Sequence, residues 1–304
     1  MFVTQDTAEE LEVRRVAIDK PAVAVAFLLQ QAEGVMDLIA HFWERLPQTP
    51  PLLRSGLHLV VVVPKGCEKV EADKIWGALL YVPKAWRADV LARSARAAEM
   101  LAEYIVAEGR LEQPTGPGKM KVAIDYISGG QETVTAMVPR LLAESGKRTL
   151  SKRVVNFVMQ FPAGTEAAEV PAVRLAAGAD LPVLNRWRRQ YREERGILFD
   201  ADVDEMVERQ RAFVLEHEGQ IVALAKLDLE LQRLVEIGGV FTFPEFRKRG
   251  FGRLIVQDLA RRIRVMGKTP TLQVDEKNTP AVRLYQHAGW QVMGALARVW
   301  LTGG

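Results

Sequence analysis

The stretch that most constrains this chain is Phe243-Pro-Glu-Phe-Arg-Lys-Arg-Gly-Phe-Gly252. An apolar strand, Val235 to Phe243 with Gly238 and Gly239 inside it, runs into this short basic loop. From Phe251 to Val265 the periodicity turns helical, with Leu254, Ile255, Leu259, Ile263 and Val265 mostly on one side and arginines on the other. A strand, a glycine loop and a helix in that order leave several backbone N–H groups unpaired and aimed at one point. The positive end of the helix dipole adds to them. Such a turn is a pyrophosphate cradle. Gly250 and Gly252 let backbone come close to phosphate and adopt positive φ.

A chain of 304 residues has room for two ordinary domains, and 48% apolar with 26% charged residues is an ordinary globular balance. The net charge of +3 does not argue for nucleic acid. The local cluster Arg247, Lys248, Arg249, Arg253, Arg261, Arg262, Arg264 and Lys268 lacks the aromatic interleaving that single strands need. Cys67 is the one cysteine, which excludes an internal disulfide framework and any cysteine-based zinc site. His41 and His58 show no ligand-like spacing, and no metal is expected. The apolar run Ala22 to Leu29 is too short to span a bilayer, and acidic residues precede it. A cytoplasmic protein without membrane or nucleic-acid partners is the expectation.

Taken in order, residues 1–50 read as helical, and Leu57 to Val63 and Ile75 to Val82 as strands. Ala88 to Glu108 reads as a long alanine-rich helix, Gln113 to Gly118 as a loop, Met120 to Ile127 as a strand, Gln131 to Glu144 as a helix, and Val154 to Phe161 as a strand. Pro162 to Pro171 is the best linker candidate, dividing an α/β domain over 1–165 from a second domain over 166–304. The second opens with a strand, Ala172 to Leu175, and a helix from Asp180 carrying Trp187 and Tyr191. A helix over Asp202 to Gln210 and a hairpin across Glu218-Gly219 precede the opening strand, loop and helix. Thr271 to Val274 is a strand, Thr279 to Ala288 a helix, and Trp290 to Leu301 a final strand pair.

Residues 172–304 resemble the GNAT N-acetyltransferase superfamily. The family's [Q/R]-x-x-G-x-[G/A] signature after its fourth strand is met by Arg247-Lys-Arg-Gly250-Phe-Gly252, and a second signature by Asn278, Ala281, Leu284-Tyr285 and Gly289-Trp290. Either alone is weak; both, in order and with the right flanking strands, are specific. The long front half is like that of a bacterial subgroup. The resemblance implies a mixed α/β fold with a splayed central sheet flanked by helices. It also implies acetyl-CoA as acyl donor and an amine as acceptor.

On that footing Arg247, Lys248, Arg249, Gly250, Phe251, Gly252 and Arg253 would hold the donor's pyrophosphate, mainly through backbone amides, with the Lys248, Arg249 and Arg253 side chains either adding charge or forming a solvated basic helix face. Phe241 and Thr242, at the splay, would pair with its pantetheine arm and polarise the thioester carbonyl. Asn278 would order the turn and meet the pantetheine, or simply cap the helix that follows. Tyr285 stands where the family places the general acid for the departing thiolate, the alternative being a tyrosine packed under the last strands. Glu236, on the fourth strand, would be the base that deprotonates the amine, its pKa raised by burial beside Val235 and Ile237; otherwise it is an exposed strand glutamate. Glu216, His217 and Glu218 flank a turn far from the splay, and His287, two residues past Tyr285, faces elsewhere. Trp187, Arg188 and Tyr191 are offered as acceptor wall, with core packing favoured for Trp187 and Tyr191.

The front half reads as a worn copy of the back half, the alternative being that any two α/β units share such an order of elements. Gly77 to Pro83 parallels Gly239 to Pro244, but no glycine follows Pro83, so this copy has no cradle. Its role would be to cover the acceptor side or to form a homodimer surface. Three functions stand at this point: an acetyl-CoA-dependent N-acetyltransferase acting on a primary amine of a small molecule or a protein, a non-catalytic acyl-CoA-binding sensor or scaffold module, or an N-acyltransferase using a longer acyl group.

Overall fold

The computed structural model describes residues 10–30, 37–48, 56–82, 87–111, 126–144, 149–196 and 202–302. The chain forms two compact units, residues 1–157 with 293–304, and residues 158–292. The expected loop 113–118, most of the strand expected from Met120 and the segment 197–201 lie outside the described residues.

The first unit begins with a strand where helix was expected, β1 (Leu11–Val16), followed by α1 (Ala22–Gln30) and α2 (Asp37–Glu44). The β-branched run of β2 (His58–Pro64) is buried through Val63 and sits between β1 and β3 (Gly77–Val82), antiparallel to both. The alanine-rich segment is not one helix. Arg87–Ala92 forms β4, antiparallel to β3, and the helix α3 runs Ala95–Leu111. Helix propensity amounts to a few tenths of a kcal/mol per residue and yields to burial of Val90 and Ala88 in a sheet. Ser94 marks the break, its Oγ accepting from the Ala97 N–H at 3.2 Å as an N-cap.

After α3 come β5 (Tyr126–Gly130), parallel to β4, then α4 (Gln131–Glu144) and β6 (Thr149–Gln160). The sheet order within this unit is β1-β2-β3-β4-β5-β12-β6. The end of the chain supplies its sixth position: β12 (Gln291–Thr302) is a single strand, not the expected pair, and its Leu296–Trp300 stretch lies antiparallel to Tyr126–Gly130.

The second unit repeats this order of elements. β7 (Val173–Leu175) is followed by two helices, α5 (Leu181–Arg195) and α6 (Val203–Glu208), then β8 (Ala212–His217) and β9 (Gln220–Glu230). The β8–β9 turn places Glu218 and Gly219 at φ 52° and 75°, the double positive φ of a tight hairpin. β10 (Leu234–Thr242), α7 (Phe251–Val265), β11 (Thr269–Asp275) and α8 (Thr279–His287) complete it, with sheet order β11-β10-β9-β8-β7. In each unit an antiparallel run of strands ends in a parallel pair bridged by a helix, β4–α3–β5 and β10–α7–β11. The internal echo is therefore registered one strand later than the sequence suggested, because the counterpart of β10 is β4 and not β3. The link from β4 to α3 is Arg93-Ser94, whereas that from β10 to α7 runs from Phe243 to Gly250.

The expected linker, Pro162 to Pro171, is held down within the second unit. Arg264 donates to the carbonyls of Phe161, Pro162 and Thr165, and the Val170 N–H donates to Asp258 at 3.1 Å. Asp258 is fully buried and paired with Arg262. Much of the basic face of α7 is thus engaged by the protein's own carbonyls and carboxylates.

Candidate active site

Four residue pairs, Leu234 with Thr269 through Ile237 with Leu272, hold β10 and β11 together, and then the strands part. On its other edge β10 meets β9 with two register shifts, between Glu236 and Ile237 and between Gly238 and Phe241. Bulges bend a strand and increase its twist, which opens the gap on the β11 side. Gly239, at φ 60°, carries the bend; a Cβ there would sit 3.0 Å from the Trp187 ring beneath it. The Phe243 N–H donates to Val222 of the strand β9, so by strand alternation the Phe241 N–H and carbonyl also face β9. Thr242 turns its backbone groups toward the gap, and Val240, in the bulge, lines the cavity. Phe241, expected to offer its amide, contributes only its ring.

The gap opens into a cavity of about 840 Å³ walled by β10, the start of α7, α8 and the end of α5. At the α7 end Lys248 has φ 62° and Gly250 φ 87°. The N–H groups of Lys248, Arg249, Gly250, Phe251 and Gly252 meet no hydrogen-bond acceptor among the described residues; pairing resumes with Arg253 and Leu254, both donating to the Gly250 carbonyl. Gly250 has open space around a would-be Cβ and is fixed by its φ. Gly252 is fixed by packing, since a Cβ would lie 2.8 Å from Leu284 Cδ1 and 3.3 Å from Thr242 Oγ1. Five free amides at a helix N-terminus, in a basic loop, fit a pyrophosphate.

The basic side chains of the loop divide by position. Lys248 and Arg253 are exposed and line the cavity. Arg247 also lines it but is committed: its Nε donates to the Thr242 carbonyl at 2.9 Å, its Nη2 meets both oxygens of Glu194 at 2.7 and 2.8 Å, and it lies over the Phe241 ring. Arg249 lies outside the cavity lining, against His217 and Phe251. His217 remains at the hairpin, away from the cavity, as expected.

Tyr285 and Glu236 both line the cavity. Tyr285 is 7% exposed, and its hydroxyl has no hydrogen-bond partner among the described residues. Burial pushes its phenol well above the usual range, the nearby Tyr191 adds to the rise, and the Arg195 charge opposes it. Glu236 is half-buried and accepts from Gln273 Nε2 at 3.0 Å. Asn278 occupies the N-cap position of α8 without a side-chain capping bond, and it too faces the cavity.

Residues 216–301 match the family model described as FR47-like protein. Over 86 residues the chain is 33% identical to an uncharacterized N-acetyltransferase of Chlorobaculum tepidum, covering 28% of this chain and 55% of that relative. The chain thus spans about half the length of the curated relative it matches. Its fold is similar to that of a GNAT-family acetyltransferase from Colwellia psychrerythraea, at 10% identity and a TM-score of 0.56 over 96% of this chain and 100% of that one. A GCN5-related N-acetyltransferase from Sphaerobacter thermophilus gives 15% identity and 0.55 over 96% and 95%. The fold is thus like that of GNAT acetyltransferases, and the family match covers residues 216–301.

The cavity also takes in residues that were not expected in it, beside some that were. Tyr191, offered as acceptor wall with core packing favoured, does both: half-buried, it packs against the core edge-on to Phe241 at 6.2 Å and lines the cavity, while Trp187 packs in the core at 1% exposure. Glu194 and Arg195 follow it at the end of α5. Asp228 falls in the β9 bulge, paired with Lys226, and its carboxylate fills the space that a Cβ at Gly238 would need. His287 was expected to face elsewhere, yet it lines the cavity: Tyr285 is buried and His287 exposed because the cavity opens past the last turn of α8. The helix-ending Gly196 was the sequence signal for Arg195, since a C-cap fixes where a helix points its last side chains. No local signal marks the bulge at Asp228.

Proposed function

We propose that this protein is an acetyl-CoA-dependent N-acetyltransferase acting on a primary amine by direct attack. The observation that carries the reading is the set of five unpaired amides on a glycine turn at the start of α7, opening directly into the gap between β10 and β11. In this reading those amides hold the pyrophosphate, with Lys248 and Arg253 adding charge. The backbone groups of Val240 and Thr242 meet the pantetheine arm, and the Val240 N–H polarises the thioester carbonyl. Asn278, free of a capping bond, bonds the same arm.

Glu236 takes the proton of the attacking ammonium, so that the nitrogen lone pair forms the new C–N bond as the C–S bond breaks. Tyr285 gives its proton to the departing thiolate and is reprotonated from solvent. A phenol held above its ordinary range stays protonated until the thiolate departs. The companion reading, a non-catalytic acyl-CoA-binding module, uses the same cradle and leaves Glu236 and Tyr285 without a task.

The test is calorimetric titration with coenzyme A, together with thiol release from acetyl-CoA across an amine panel. Binding with amine-dependent release is expected. Binding without release for any amine would replace the enzyme by the binding module, and absence of binding would remove both.

A further inference from the structure

Among the cations that line the cavity, Arg195 is set apart. Arg247 is neutralised by Glu194, while Lys248 and Arg253 flank the free amides of the glycine turn. Arg195 has no carboxylate partner among the described residues; its guanidinium reaches the Tyr191 phenol one turn back and lies close enough to Tyr285 to act on both rings. That places it at the reacting end of the cavity. The helix stops there in a fixed way, with Gly196 at φ 58° donating its N–H to the Arg192 carbonyl, so Arg195 does not hang from a frayed end. Tyr191 is itself wedged between Trp187 at 5.6 Å and Phe241 at 6.2 Å. A guanidinium is a fork of donors that matches a planar anion in two places. The same cavity holds Glu236, a carboxylate suited to an ammonium.

We propose that Arg195 anchors a carboxylate on the acceptor, so that the amine acetylated is that of an amino acid. The proposal rests on the acetyl-transfer reading above and narrows it. A cavity with a carboxylate for the ammonium and an arginine for a carboxylate is matched to a zwitterion. The amide or the decarboxylated amine of the same compound leaves the guanidinium without its partner.

Thiol release from acetyl-CoA by the full chain tests this with matched probes, each free amino acid against its C-terminal amide. At least one free acid should be used roughly tenfold to a hundredfold better than its amide in kcat/KM, the loss of one charge-assisted pair, with the difference mainly in KM. Arg195→Gln should bring acid and amide to parity, and Arg195→Lys should restore part of the preference. Acids and amides used alike, no acid used at all, or an Arg195→Gln loss equal for both and confined to kcat would overturn the anchor; the last result would assign Arg195 to the leaving thiolate. Coenzyme A affinity, titrated on the same samples, separates the two levels. Binding without acid preference removes the anchor alone, and absence of binding removes the donor site with it.

Discussion

Gly250 and Gly252 stand two residues apart and are required for different reasons. At Gly250 the constraint is φ 87° with open space around it, so an alanine meets no atom but strains the backbone by about 1 kcal/mol. Relaxing that strain turns the Phe251 and Lys248 amides off a common point. Gly250→Ala should therefore weaken coenzyme A binding about tenfold while the melting temperature falls only slightly, and unchanged affinity would deny the cradle its role. At Gly252 a new Cβ meets the end of Leu284, which can swing aside, so Gly252→Ala costs less than Gly252→Val, which presses α7 off α8. Tyr285 gives the companion prediction on chemistry. Tyr285→Phe keeps the ring against Trp290 and removes only the hydroxyl, which has no partner among the described residues to orphan. Turnover should fall by roughly 10²–10⁴ with coenzyme A affinity held within a factor of a few. Steady-state kinetics beside calorimetry reads both, and a fully active variant would leave Tyr285 a packing residue.

At the scale of elements, the glycine turn, the helix after it and the Asn278–Tyr285 turn were legible because each is a local pattern. β4 was not. Arg87, Ala88, Leu91 and Ala92 favour a helix and outnumber Asp89 and Val90, and only the neighbours β3 and β5 make Arg87–Ala92 a strand. The bulge that carries Asp228 into the cavity was hidden for a related reason: Lys226, Asp228 and Glu230 alternate normally in sequence, and the slip appears only in pairing with β10. β4 also carries a test of its own. Asp89 is 2% exposed, and burial pushes its carboxyl above the usual range despite hydrogen bonds from Arg87 at 3.1 and 3.2 Å. A folded pKa raised above the unfolded one, about 3.9, gives a contribution present below that value and lost as pH rises through the folded pKa. Acid-range denaturation should show stability falling with pH over that window, and Asp89→Asn should flatten the slope; an identical slope in the variant would place the titration elsewhere.

At the scale of the whole molecule, the sequence divides at a proline-rich stretch, but the described chain does not end its second unit where the sequence ends. Residues 293–302 belong to the first unit, where β12 stands between β5 and β6 with Leu296, Ala297, Val299 and Leu301 all 2% exposed or less. No local pattern in Gln291–Thr302 says which sheet it joins; an apolar strand is equally at home against any unpaired neighbour. The consequence is that the last residues of the chain stabilise the unit that begins it. Burying a side chain such as Leu or Val contributes about 1.5–3 kcal/mol, so three of them are comparable with the whole stability of a domain. Ending the chain at Val292 should then abolish cooperative unfolding of residues 10–157 and open their amides to hydrogen exchange. The cradle and cavity, built wholly from residues 158–292, should still bind coenzyme A. Hydrogen exchange resolved by peptide decides it: protection kept in β4 and β5 after the truncation would show that β12 covers this sheet without holding it.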